Sequence, residues 1–220
     1  MKHKWPNWVG RLIPEYTVFP MICTLILQTL VYSGTKLLMR GVPHYNFECG
    51  LDLRIPFLPW TVSIYLGAFL YWVIAFILIL RSGKENAFRF LCAHTLSLLA
   101  ALVFFLFLPT TNTRPVPVGN GFWERGIRIV YALDTPDNLF PSLHCELSWL
   151  CWRSLTRVKG VSKFWKGFAL VFTLLVFVST LTTKQHILID VLSGWLLAEA
   201  AFRLCGNKKI TRRFYQVFDR

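Results

Sequence analysis

The sequence predicts an all-α polytopic membrane protein of six transmembrane helices, with both termini cytoplasmic and residues 1–220 forming one domain. Three observations predict it. Hydrophobic residues make up 55% of the chain and charged residues only 16%, against about 25% charge in soluble globular proteins. Several apolar runs reach about 20 residues, enough to span a bilayer's hydrocarbon core. The 24 Lys and Arg residues fall mostly between and after those runs, in the uneven pattern that sets orientation across a membrane.

The basic lead-in, with Lys2, Lys4, Arg11, Trp5 and Trp8, reads as an interfacial segment and does not resemble a cleavable signal. The first span covers residues 18–38 and contains Gln28, a polar residue expected to face the bundle. Residues 41–57 read as an outer loop. The second span, 58–80, opens with Pro59 in its first turn, where a missing N–H costs little. A polar turn at 81–86 makes it an antiparallel neighbour of the third span, 88–108. His94, inside that third span, reads as a packed or hydrogen-bonded bundle histidine, since no partner lies at metal-ligand spacing.

Residues 109–138 form the longest polar connection, and loops of such length often carry function. The fourth span, 139–155, is marginal in length. Cys145, Glu146 and Ser148 make it less apolar than its neighbours, as expected of a helix facing the bundle interior. A basic connection at 153–166 leads to the fifth span, 168–182. A short break bearing Lys184 and the sixth span, 185–202, follow. The tail alternates aromatic and basic residues near its end, which suits a surface touching anionic lipid.

With both termini inside, the outer side keeps Lys36, Arg40, Arg54, Arg114, Arg125, Arg128 and Lys184, leaving 17 of the 24 basic residues inside. The net charge of +13 is thus accounted for by topology and anionic headgroups, and nucleic acid is not expected as a partner. The same arrangement gathers Arg114, His144, Lys184, His186 and Asp190 at one face, the outer, extracytoplasmic side of a cell membrane. Ionisable groups in or near lipid are expensive to keep and mark function. The six cysteines show no metal-site spacing and read as small hydrophobes, apart from Cys49 in the outer loop.

The chemistry concentrates at residues 138–190. Asp190 follows His186 by four residues, one helical turn. Its carboxylate can accept a hydrogen bond from Nδ1, leaving Nε2 free as a nucleophile; a purely structural helix-end pair is the alternative. His144 follows Pro141 and Ser142 at a loop-to-helix junction, where backbone N–H groups attract phosphate. When charged it can protonate a leaving oxygen; otherwise it is a capping-turn histidine. Arg114 offers a bidentate guanidinium to phosphate oxygens. Lys184, Arg125 and Arg128 are further candidates for that cationic clamp, or contacts to headgroups. The set is suited to phosphoryl transfer with no metal and no cofactor, because zinc would lack a third strong ligand.

These residues resemble the type 2 phosphatidic acid phosphatases (PAP2), whose pattern is Lys-x6-Arg-Pro, then Pro-Ser-Gly-His, then Ser-Arg-x5-His-x3-Asp. Arg114-Pro115 matches the end of the first part, Pro141-Ser142-Leu143-His144 the second, and Ser179, His186 and Asp190 the third. The resemblance implies that His186 forms a phosphohistidine, Asp190 orients it and His144 serves as acid, while Arg114 and Ser142 hold the phosphate. Three positions depart from the pattern: Phe107 and Thr180 stand where the family has cations, and Leu143 where it has glycine. Lys184 is a candidate to supply a missing charge. The Pro-Ser-Leu-His form is also similar to that of inositol phosphorylceramide synthase-type transferases. The implied function is a membrane lipid phosphatase acting on a lipid phosphomonoester or pyrophosphate, phosphatidic acid-like or prenyl. A headgroup phosphotransferase is the first alternative, and a non-catalytic lipid-phosphate binding or transport protein the second.

Overall fold

The computed structural model describes residues 7–218, with side chains from Gly10 onward. A short helix, α1 (Asn7–Leu12), precedes α2 (Glu15–Thr29), which continues through a π-helical turn (Leu30–Gly34) into α3 (Thr35–Leu38). The strand β1 (Tyr45–Asn46) and α4 (Gly50–Arg54) lead to a 3-10 turn (Pro59–Thr61) and α5 (Val62–Arg81). Next come α6 (Lys84–Phe107), β2 (Thr110–Thr111) and α7 (Phe122–Leu133). The chain closes with α8 (Leu143–Leu155), α9 (Lys163–Thr182), α10 (Leu188–Leu204) and α11 (Lys208–Phe218). Lys2, Lys4, Trp5 and Arg220, which the topology argument used, lie outside the described residues.

Among the described residues the regular elements are helical except for β1 and β2, which pair in parallel with Tyr45 opposite Thr110 and Asn46 opposite Thr111. Among the described residues, four segments are long and apolar enough to cross a bilayer: Glu15–Leu38, Pro59–Arg81, Lys84–Phe107 and Lys163–Thr182. They correspond to the first, second, third and fifth expected spans. The other two begin later than expected. α8 has 13 residues and starts at Leu143 rather than 139. Pro141 disfavours helix in the residue before it, and Ser142 caps the helix that follows, its side chain accepting from Cys145 N. α10 has 17 residues and starts at Leu188 rather than 185, because Lys184 adopts a left-handed conformation, φ 54°, that interrupts the helix.

α8 sits at the centre, packed by α5, α6, α9 and α10, and none of its residues is exposed. Its ends therefore meet protein, where irregular backbone is tolerated at membrane depth. α5 turns Tyr65, Ala68, Trp72, Ala75, Phe76 and Ile79 inward at helical spacing. Leu66, Leu70 and Val73 are exposed on its other side. Ala68, Ala75, Ala93, Ala101 and Ala198 are fully buried; small residues let helices approach closely where lipid offers no hydrophobic drive between them.

The link between α5 and α6 is shorter than the six-residue turn expected, because α6 begins at Lys84. Gly83, at φ 105°, makes the tight reversal possible without a Cβ clash. Asn86 Nδ2 donates to Ser82 Oγ at 2.8 Å. At the same end, α11 lays Phe214 and Tyr215 edge-on against Phe88.

Candidate active site

The first histidine is set by the break between α9 and α10. Gln185 N and His186 N both donate to Thr180 O, at 2.9 and 3.1 Å, folding the chain back over the end of α9. Asp190 lies in the first turn of α10, and its Oδ2 accepts from Ile187 N at 3.0 Å. The same oxygen lies 3.4 Å from His186 Nδ1. The pair forms across a helix N-terminus, with His186 just outside the helix, rather than along one helical face as the spacing suggested. Asp190 Oδ1 is buried and has no partner among the described residues.

The second histidine enters at the head of α8. Ser142 N donates to Asp190 O at 3.0 Å, so the two histidine-bearing segments are joined by a direct backbone bond. Gly194 of α10 faces this junction: a Cβ there would lie 2.3 Å from Ser142 O, so only glycine allows the approach. His144 is boxed by aromatic rings. Its ring centroid lies 4.5 Å from that of Tyr65, 5.3 Å from Trp72 and 5.9 Å from Phe69. Its Nε2 is buried and has no partner among the described residues. The rings of His144 and His186 are 6.1 Å apart at 58°. A group placed between them can reach both.

Arg114 arrives from the loop after β2. One guanidinium nitrogen, Nη2, donates to Gln185 Oε1 at 2.7 Å, and Nη1 donates to the Asp134 carbonyl. Its Nε is buried and unpaired among the described residues, and the group sits 4.9 Å over the Tyr131 ring. Burial lowers the Arg114 pKa against the opposing pull of Asp134, but a guanidinium stays charged in proteins. Burial also pushes the Tyr131 phenol up to about 12; its hydroxyl donates to Thr183 O at 2.7 Å. Asp134 is shielded by burial, which favours its neutral form, yet hydrogen bonds from Lys36 and Tyr32 hold it below the ordinary value of 3.8. Lys36 Nζ lies 2.7 Å from its Oδ1.

Thr110 braces the approach to His144: its hydroxyl accepts from Leu139 N at 3.1 Å and Phe140 N at 2.9 Å. Asn112 Nδ2 donates to Lys184 O at 2.9 Å. The loops at this end are thus cross-braced around the histidines.

The structure brings His144, His186, Asp190 and Ser142 together, with Arg114 reaching them through Gln185. It turns the other three candidate cations elsewhere. Lys184 Nζ donates to Asp52 O at 2.9 Å and Ile55 O at 2.7 Å. Arg125 Nε donates to Asn120 O at 2.9 Å, and Arg128 Nη1 to Gly119 O at 2.7 Å. Phe107 is 80% exposed, while Thr180 is buried with its hydroxyl on Phe177 O at 2.8 Å. No cation occupies either departed position.

Sequence reasoning missed Gln185, Asp134, Tyr131 and Asp52. The helix carrying Tyr131 left a signal: Trp123, Ile127, Val130 and Tyr131 recur at helical spacing. Asp52 accepts from Leu188 N at 2.7 Å. Burial would raise its carboxyl, but this bond, those from Cys49 and the Lys184 charge hold it below its ordinary value.

A cavity of about 330 Å³ opens on His144, walled by Tyr65, Phe69, Trp72, Leu143 and Asp134 among others. An apolar cavity of about 690 Å³ lies between α2 and α5. Among the described residues, no three His, Cys, Asp or Glu side chains converge as a ligand group.

Neither a search of curated proteins nor a search of solved structures returned a match. A family model described as the PAP2 superfamily matches residues 53–204. That region holds Arg114, Ser142, His144, His186 and Asp190, and by this match the chain belongs to the PAP2 superfamily, a hydrolase superfamily associated with lipid phosphate chemistry.

Proposed function

We propose that this chain is an integral membrane lipid phosphatase that cleaves a phosphomonoester or pyrophosphate through a phosphohistidine, without a metal. The observation that carries the reading is the pairing of two unlike histidines. His186 has its Nδ1 beside a carboxylate at 3.4 Å, while His144, with its ring centroid 6.1 Å away, holds a buried nitrogen that has no hydrogen-bond partner among the described residues.

In the first step His186 Nε2 attacks phosphorus, and the bond from phosphorus to the lipid oxygen breaks. Asp190 holds the Nδ1 proton and stabilises the cation that forms. Protonated His144 gives its proton to the leaving oxygen. Water then gives a proton back to His144 and attacks the phosphohistidine; the phosphorus–nitrogen bond breaks and phosphate leaves. Arg114, with its unpaired Nε, and the Ser142 hydroxyl stabilise the charge on the phosphate oxygens. Lys184, Arg125 and Arg128 act in this scheme as braces of the surrounding loops.

In the same reading α8 and α10 join the four long segments as six spans, with both termini cytoplasmic and the site at the outer face. The charge distribution of the connections supports that orientation.

The test is a mass-spectrometric screen of lipid phosphates with purified protein in chelator. Phosphate release that is lost in His186→Ala is expected. Turnover that survives His186→Ala, or that requires added metal, refutes the mechanism. A phosphorylated product on an added alcohol, with no free phosphate, identifies the transferase instead.

A further inference from the structure

Three polar side chains that the phosphoryl-transfer chemistry does not use meet inside the bundle. His94 of α6 is 1% exposed. Its Nδ1 lies 3.1 Å from Glu146 Oε1 on α8, and its Nε2 3.1 Å from Gln28 Oε1 on α2. Glu146 is fully buried, and its Oε2 has no partner. Gln28 sets its amide oxygen, which only accepts, against His94 Nε2, so Nε2 donates and the Gln28 NH2 is turned away from His94. Among the described residues this NH2 has no partner.

Gln28 stands where the two cavities meet. The cavity that opens on His144 and the apolar cavity between α2 and α5 share Gln28, Phe69 and Trp72 in their walls. Trp72 already donates its Nε1–H to Ser148 Oγ at 3.0 Å. Gln28 therefore holds the free donor at the junction. Beyond it the larger cavity is bounded by side chains such as Ile22, Leu25, Val73, Ile77 and Leu147. A lipid with its phosphate between the histidines and its tail in the apolar cavity must pass Gln28 with the atoms that link the two.

We infer that Gln28, anchored by His94 and Glu146, selects lipid phosphates that carry a carbonyl acceptor between phosphate and tail. Polyisoprenyl phosphates, whose linking atoms are hydrocarbon, are disfavoured because they leave the NH2 unpaired in an apolar channel. The acceptor can be the ester of a glycerolipid or the amide of a sphingolipid. This inference rests on the lipid-phosphate reading above.

The test measures binding, so it does not depend on turnover. Non-hydrolysable phosphonates of a diacylglycerol, a ceramide and farnesol are titrated in detergent against the full chain and its Gln28→Met variant, which keeps the side chain's size without its donor. Wild type is expected to prefer a carbonyl-bearing probe over the farnesyl probe. Gln28→Met is expected to lower that preference about tenfold, the equivalent of one hydrogen bond. Loss confined to the diacylglycerol probe assigns the ester, loss confined to the ceramide probe the amide, and loss for both the shared carbonyl. His94→Phe, which removes the anchor and leaves Gln28, is expected to lower the preference as well. A preference unchanged in Gln28→Met, an equal loss for all three probes, or binding of none overturns the inference. Failure of the phosphatase reading shows separately, as turnover that survives His186→Ala.

Discussion

Replacing Gly194 by alanine tests whether the backbone seam between α8 and α10 sets the histidine geometry. The new Cβ would lie 2.3 Å from Ser142 O, 3.2 Å from Ser142 C and 3.3 Å from Cys145 Cβ. A carbon rests against a carbonyl oxygen at about 3.3 Å or more, so the seam must open by roughly 1 Å. The obstacle is backbone and cannot rotate aside. The displaced residue is also the one whose N–H bonds Asp190 O at 3.0 Å, so the shift separates His144 from His186. Misplacing reacting groups by about 1 Å can cost about 100-fold in rate, while overpacking typically costs about 1–3 kcal/mol in stability. The expected result is a folded protein with a lowered melting temperature and kcat down about 100-fold. Steady-state phosphate release and a thermal melt on the same preparation measure both. Wild-type kcat in Gly194→Ala would falsify the claim that this contact sets the site.

Asp190→Asn keeps an acceptor for Ile187 N but removes the charge beside His186; turnover is expected to fall by about 10²- to 10⁴-fold, read from single-turnover phosphate release. Arg114→Ala leaves Gln185 Oε1 buried and unpaired, costing about 1–3 kcal/mol in stability, and is expected to raise KM and lower kcat together. Lys184→Met loses bonds to the Asp52 and Ile55 carbonyls, so its main effect should be a lower melting temperature; a KM rise matching that of Arg114→Ala would return Lys184 to the phosphate clamp. Asp134 has a folded pKa below its ordinary value of 3.8, so its stabilisation is present above that value and is lost as pH falls through the lower folded pKa. Melting temperature measured from pH 6 downward should therefore drop less in Asp134→Asn than in wild type; identical slopes would refute the assignment.

The grouping of His144, His186 and Asp190 was legible because these residues sit at fixed short spacings. His186 and Asp190 are four apart, and Pro141 to His144 form one run. The long spans were legible from apolar length alone. What escaped was whatever depends on contacts distant in sequence. Lys184 looked available to phosphate, yet its partners are carbonyls more than a hundred residues earlier. Gln28, His94 and Glu146 each stood out as polar residues within or beside apolar runs, but their convergence needs three helices packed in one register. α7 hid inside a connection whose glycines and charges masked its apolar stripe. The starts of α8 and α10 slipped by three or four residues because Leu139, Phe140 and Ile187 are as apolar as the helices they precede.

The enclosure of α8 bears on how the protein meets membranes of different hydrophobic thickness. Mismatch acts on lipid-facing helices, which tilt to accommodate it. Here that load falls on the long helices, whose outward faces carry Leu66, Leu70 and Val73 on α5 and Leu96, Leu99 and Val103 on α6. α8 has no exposed residue on which lipid could press, and its head is bonded through Ser142 to α10 at Asp190. Tilt of the outer helices can thus be taken up around a unit that holds both histidines in fixed relation, so a thin and a thick bilayer meet the same arrangement of the two rings.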